Sequence, residues 1–355
     1  RVSQLLCPFY SNYKYFETCT INKMQTKLRK DLSITVLMSV FNGERWLAES
    51  LRSILNQTFT DFEFIIINDG STDGTLKILE KHANQDSRIK LYDKENSGLT
   101  DSLNFGISKA KGKWIARIDA DDIAHHERLK DQIELAESDK SLVLIGSGIS
   151  LIDSKGHNGK LYSYPTSHKK LIKHISKGLP FFAHSSAIFR TSSVREIGGY
   201  RGKFKKSQDQ DLWLRLADLG RIACINKPLA FIRKHDDQIS NDDDGQQQVV
   251  YSHMAMTSFY LKKLNHPDPI ETNKDFSVFK DFIEINLRQK DFFEYQRFVN
   301  KTKLKISSAE SNYGKFLSLA GHFLFNLHLV YRHLKFRFFG SNLPIQFANK
   351  WKSYR

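Results

Sequence analysis

The residues best suited to chemistry lie in ARIDADD, residues 116–122, where Asp119, Asp121 and Asp122 fall within four positions of a chain whose net charge is +15. Carboxylates this close repel one another, and no simple fold requires them. A hard divalent cation such as Mg²⁺ or Mn²⁺ removes the repulsion, because it takes oxygen ligands and binds through one or two carboxylates plus substrate phosphates. Read as the end of a strand over 113–122, the stretch turns Asp119 and Asp121 to one side by the two-residue period. The alternative is a solvated acidic turn with Asp122 capping the next helix.

A second loaded loop is NDGSTDG, residues 68–74. There Asp69 can accept hydrogen bonds from a base or ribose, or the segment is simply a turn with Asp73 capping a helix. A third pair of acids, Asp209 and Asp211, opens the helical stretch SQDQDLWLRLADLG at 207–220. Acids at that place also complement a helix dipole.

Apolar strands and amphipathic helices alternate over the first 150 residues and position these loops. Strands are expected at 33–42, 62–71, 89–94, 113–122 and 142–153, with helices at 44–57, 73–84, 99–110 and 126–138 between them. Such alternation builds an α/β fold around a mostly parallel sheet, and ligands bind at the carboxyl ends of its strands. A strand at 183–190, the helix at 207–220 and a segment at 222–235 follow. Beyond the acidic linker at 240–248 the chain reads as helical, over 248–264, 277–305 and 314–339. Residues 1–30 are expected to be a leader, with Met24 as the natural start and residues 1–23 outside the native protein.

The hydrophobic fraction of 40% and charged fraction of 26% are ordinary for a globular protein. Three cysteines without CxxC spacing form neither a disulfide framework nor a zinc site, which favours a reducing compartment. No zinc-finger spacing or RNA-recognition signature accompanies the basic charge, so nucleic acid is not the expected partner. The excess concentrates in residues 311–355, which hold seven Lys and Arg and no acid. The aromatic-basic stretch 316–340 is too short an apolar run to span a bilayer, and is expected to lie on a membrane surface or to pack on the core.

SVFNGERWLAESLRSILNQTFTDFEFIIINDGSTDGT, followed by NSGLTDSLNFGISKAKGKWIARIDADD, resembles the family 2 glycosyltransferases of GT-A fold, over 33 to about 130 and more weakly to about 240. The resemblance implies a Rossmann-like GT-A domain over 31–240 and a helical C-terminal extension over 241–355. It implies an inverting sugar transfer from a nucleotide-diphosphate sugar, UDP by family frequency, to an acceptor hydroxyl. Surface polysaccharide, glycolipid or glycan synthesis is the expected setting, in the cytoplasm at the inner face of a membrane. The rival expectation is a catalytically inactive relative that binds nucleotide-sugar or acts as a membrane-peripheral scaffold.

Residue by residue, the resemblance places Val40, Phe41, Asn42 and Glu44 beside the nucleotide, Asp69 at its base and Arg117 near the diphosphate. It makes Asp119 and Asp121 the DxD motif, with Asp121 the favoured direct ligand of a divalent cation and Asp122 open between metal support and helix cap. Gln208-Asp209 stands where the family has Glu-Asp, which makes Asp209 the expected catalytic base and Asp211 a structural acid. Arg233 and His235 match an Arg-x-His segment near the diphosphate and metal. His184 and Ser185 match the acceptor side.

Overall fold

The computed structural model describes residues 34–179, 181–235, 245–289, 293 and 342–354. The expected leader and the stretch 316–340 lie outside the described residues.

The first half follows the predicted alternation. Strand β1 (Ile34–Val40) is buried at every position, as a central strand covered on both faces must be. Helix α1 (Leu47–Leu55), β2 (Phe62–Asp69), α2 (Thr75–Gln85), β3 (Ile89–Lys94), α3 (Leu99–Lys109) and β4 (Trp114–Arg117) follow. β1 pairs in parallel with β2 on one side and β4 on the other, and β3 pairs with β2. The carboxyl ends of β1 and β4 therefore lie side by side where the strand order reverses, the place where open α/β sheets bind ligands.

The second half closes around that crevice. It comprises β5 (Ile123–Ala124), α4 (Arg128–Ser138), β6 (Leu142–Ile152), β7 (Asn158–Tyr162), α5 (His168–Ser176), a 3₁₀ turn (His184–Ser186) and β8 (Ile188–Arg190). After these come α6 (Thr191–Glu196), α7 (Gln208–Leu219) and β9 (Arg221–Arg233). The sheet runs β3-β2-β1-β4-β8-β6-β9-β5, with β7 attached to β6. β8 is antiparallel to β4 and β6, β5 is antiparallel to β9, and β6 and β9 are parallel.

Helices α8 (Gln246–Lys263), α9 (Asn273–Gln289) and α10 (Leu343–Tyr354) complete the described chain. Val250, Met254, Phe279, Phe347 and Trp351 belong to the same buried cluster as Leu103 and Trp213, so these helices share a core with one face of the sheet. Within the basic tail, α10 packs Leu343, Phe347 and Trp351 inward at helical spacing. That part of the tail is core. Among the described residues no helix is long and apolar enough to cross a membrane.

Candidate active site

Two loops at the carboxyl ends of β1 and β2 are laced together. Asn42, in the left-handed conformation (φ 51°), donates its amide to Ser71 Oγ at 2.9 Å, and its Oδ1 accepts from the Thr72 amide at 2.8 Å. Glu44 accepts from the Gly74 amide at 2.7 Å, while Asp73 accepts from the Glu44 amide at 3.2 Å and the Thr75 amide at 3.0 Å. The Glu44 carboxylate thus sits at the amino end of α2, where the helix dipole favours negative charge. Val40 is buried beneath this loop, whereas Phe41 is 53% exposed on the rim.

Asp69 closes the other side. It is 2% exposed and accepts from the Ser97 and Gly98 amides, each at 2.9 Å, and from the Lys94 ammonium. Burial opposes its ionisation, but Lys94 and the Ser97 amide outweigh that and hold its pKa below the usual carboxylate range. Gly70 makes the fold-back feasible: its φ is +71°, and a Cβ there would lie 2.6 Å from the Asn96 amide nitrogen.

The acidic stretch differs from its expected form. β4 ends at Arg117, and residues 119–122 form a turn in which the Asp122 amide donates to the Asp119 carbonyl at 3.3 Å. Strand alternation therefore does not orient Asp119 and Asp121; their partners do. Asp119 pairs with Arg117, accepts from Ser185 Oγ at 2.8 Å and donates its amide to the same hydroxyl at 3.0 Å. Asp121 accepts from His235 Nε2 at 2.9 Å. Asp122 is 3% exposed and accepts from the Arg233 amide at 2.9 Å; the helix cap falls at Glu127, so Asp122 caps nothing.

These environments divide the charge. Burial opposes ionisation of Asp119, but Arg117, a fully buried side chain, and the Ser185 hydroxyl hold its pKa low. Burial and the neighbouring Asp119 push Asp121 up, and burial with both neighbouring acids pushes Asp122 well up. Negative charge is concentrated on Asp119, and a cation near Asp121 would complete its ionisation.

Arg233, expected near the diphosphate, is held by the acidic turn. It is 1% exposed and spends its guanidinium on the chain itself: Nε donates to the Asp121 carbonyl at 2.9 Å, Nη1 to the Asp153 carbonyl at 3.2 Å and Nη2 to Glu49 at 2.7 Å. So enclosed, it braces the acidic turn from behind. The β5–β9 pairing, with Ile123 opposite Phe231, delivers Arg233 and His235 there. Trp46, which the sequence did not single out, packs against His235 with ring centroids 4.1 Å apart and the rings tilted by 38°.

Asp119, Asp121 and His235 line one side of the crevice but form no ready three-ligand cage. Among the described residues, the group of three ligating side chains within 4.8 Å is instead His125, His126 and Glu127. Glu127 there is already paired with Lys227. The Asp121–His235 pair nevertheless suits a hard cation that brings its remaining ligands with a diphosphate.

Across the crevice, Asp209 opens α7 after Ser207, which holds the left-handed conformation (φ 54°). Gln210 accepts from the Phe181 amide at 3.1 Å and fixes this end of the helix to the segment leading into His184. His184 Nε2 and the Tyr200 hydroxyl are hydrogen-bonded at 2.7 Å; burial holds His184 down to about 3, so its ring is neutral. Asp209 itself accepts the Gln210 amide at 2.8 Å and has no side-chain hydrogen-bond partner among the described residues. Burial, with a contribution from the Asp119 charge, pushes its pKa up to about 6. Asp211 behaves oppositely: it is 1% exposed and paired with Arg201 and Arg215.

Comparison with known proteins agrees with this geometry. Residues 35–198 match the family described as Glycosyl transferase family 2. The chain is 37% identical over 191 residues to a protein named as a glycosyltransferase, EpsE of Bacillus subtilis, covering 53% of this chain and 67% of that one. It is 38% identical over 188 residues to the O-antigen biosynthesis glycosyltransferase WbnJ of Escherichia coli, covering 52% and 71%. The crystal structure of S. aureus TarS 1-349 in complex with UDP-GlcNAc superposes with a TM-score of 0.55 at 19% identity, covering 91% of this chain and 93% of that one. That likeness identifies the fold as GT-A. With its acidic turn at the sheet's switch point and these relatives, the chain belongs to the family 2 glycosyltransferases.

Proposed function

We propose that this glycosyltransferase inverts the anomeric centre of a nucleotide-diphosphate sugar, with Asp209 as the general base. The observation that carries the reading is the contrast at the start of α7: Asp211 is neutralised by two arginines, whereas Asp209 has no ion-pair partner among the described residues and a pKa pushed up to about 6. A base with that pKa is ionised at neutral pH yet still takes up a proton readily.

Asp209 removes the proton from an acceptor hydroxyl as its oxygen attacks the anomeric carbon. The carbon–oxygen bond to the diphosphate breaks on the opposite face, and its electron pair leaves with the nucleotide. A divalent cation, Mg²⁺ or Mn²⁺, held by Asp121 and His235 with Asp119 alongside, would supply positive charge against the departing diphosphate. Arg117 and Ser185 hold Asp119 in place, and Arg233 holds the turn. Val40, Phe41, Asn42 and Glu44 form the nucleoside rim, and Asp69 orders the 94–98 loop that borders it. Asp69 is too enclosed to be an open hydrogen-bonding edge, so its contribution to base recognition runs through that loop.

UDP is the favoured carrier, supported by the UDP-GlcNAc complex of the TarS neighbour. The acceptor is assigned to carbohydrate or lipid-linked glycan, in line with the O-antigen relative, at the inner face of a membrane. Calorimetry with a panel of UDP-, GDP- and dTDP-sugars, with and without Mn²⁺, tests the donor assignment. A metal-dependent UDP-sugar signal is expected; no binding by any nucleotide-sugar would refute it. Sugar transfer with retained anomeric configuration would refute the mechanism.

A further inference from the structure

We propose that the exposed face of α5 is a docking surface for anionic phospholipid, placed to present a membrane-borne acceptor to Asp209. This deepens the acceptor assignment above and rests on it.

Between Asp153 and Glu196 the chain contains no Asp or Glu but six lysines and two arginines. Four of those lysines sit on or just beyond α5. Leu171 and Ile175 point into the core, fully buried, while Lys169, Lys170, Lys173 and Lys177 are exposed. At 100° per residue these lysines fall within one arc opposite the buried pair, so the charge forms a single face. Arg221 and Lys263, which act on His168 at the start of the helix, are paired with Asp139 and Asp218, so the uncompensated charge is that of the α5 lysines.

The surface is not purely charged. Gly178, in the left-handed conformation (φ 74°), ends the helix and turns Leu179 outward, 43% exposed. A row of lysines beside a protruding leucine matches an anionic bilayer, which offers phosphates to the cations and acyl chains to the leucine. A soluble polyanion would use the lysines and leave Leu179 without purpose.

The position connects this surface to the reaction. Two residues after Leu179, the Phe181 amide bonds Gln210, the neighbour of Asp209, and the same segment continues into His184. A bilayer held at Lys177–Leu179 therefore lies at the mouth of the acceptor side, where a lipid-linked hydroxyl would enter.

The test uses the full chain with sedimenting vesicles of equimolar phosphatidylglycerol and phosphatidylcholine, against pure phosphatidylcholine. Each lysine near such a surface contributes roughly fivefold in affinity. K169Q/K170Q/K173Q should therefore bind phosphatidylglycerol vesicles about a hundredfold more weakly, with an unchanged melting midpoint and unchanged donor binding. Leu179→Ser should weaken binding severalfold. Undiminished vesicle binding by the triple variant, or no preference for phosphatidylglycerol, would overturn the proposal. So would equal competition by soluble polyphosphate together with a silent Leu179→Ser, which would identify a polyanion instead. Donor calorimetry on the same samples reports separately on the glycosyltransfer reading.

Discussion

The two walls of the crevice treat their carboxylates in opposite ways. On the donor wall each acid has a nitrogen partner: Asp69 has Lys94, Asp119 has Arg117 and Asp121 has His235. On the acceptor wall the partners of Asp209 among the described residues are backbone amides. Paired acids keep a fixed geometry, which suits holding a ligand. A half-buried acid without a side-chain partner keeps its affinity for a proton, which suits removing one. The difference lies in the placement of cations, since both walls are acidic.

The sharpest way to break this contrast is to remove the proton acceptor while keeping its shape. Asp209→Asn should lower turnover by roughly a hundred- to ten-thousandfold, the usual contribution of a general base. Donor affinity by calorimetry should stay at the wild-type value; parallel loss of both would assign Asp209 to donor binding. The same group predicts a pH profile. Turnover per donor and acceptor bound requires the ionised form, so it should fall about tenfold per unit below a midpoint near pH 6. Stability runs the other way. The folded-state pKa lies above the unfolded value, so the ionised carboxylate costs stability, a cost that develops between about pH 4 and 6 and is complete above. Asp209→Asn should then gain up to about 3 kcal/mol at pH 8 and nothing at pH 3. A gain of the same size at both pH values would mean that the carboxylate's charge is not what matters.

Asp211, two residues on, provides the control. Asp211→Asn removes the common partner of Arg201 and Arg215 in a buried network, a change that costs about 3 kcal/mol. The melting midpoint should drop by roughly 6–12 °C. Activity of the protein that remains folded should be retained, whereas a fully folded but inactive variant would transfer the base role to Asp211.

On the donor wall, Asp121→Ala should weaken nucleotide-sugar binding in Mn²⁺ by about tenfold or more, the scale expected for losing a partner at a metal site. The clearer readout is the difference made by the metal. Wild-type affinity should rise on adding Mn²⁺ and the variant's should not. An undiminished metal effect would place the cation elsewhere, with His125, His126 and Glu127 the next group to test.

Much of this arrangement was legible in the sequence because local pattern controlled it. β1, β2 and β3 fall within two residues of their expected ends, since continuous apolar runs bounded by turn residues leave little choice. The misreadings share a cause in long-range pairing. KWIARIDADD looks extended throughout, yet β4 stops at Arg117, because β5 must leave it to pair with β9 more than a hundred residues away. That pairing also turns Arg233 inward to brace the acidic turn, whereas a lone Arg-x-His segment reads as exposed ligand. Trp46 passed as one more apolar residue in an amphipathic helix; only the fold brings His235 onto its ring. Tyr200 gave no signal in the sequence.

Tyr200 also permits the finest division of the acceptor wall. Its hydroxyl bonds a half-buried, neutral His184, one residue before the Ser185 that holds Asp119. The dyad has no free charge to contribute and lies between the two walls, so it is a positioning element. Tyr200→Phe leaves the ring packing intact and removes one hydrogen bond, worth about 1 kcal/mol. Acting on the acceptor side, it should raise the acceptor KM by roughly fivefold while leaving the donor Kd and the pH midpoint of turnover unchanged. Acting through Ser185 and Asp119 instead, it would weaken Mn²⁺-dependent donor binding and leave the acceptor KM alone. Because Asp209 and Asp119 respond to different substrates, one set of titrations decides which wall the Tyr200–His184 bond serves.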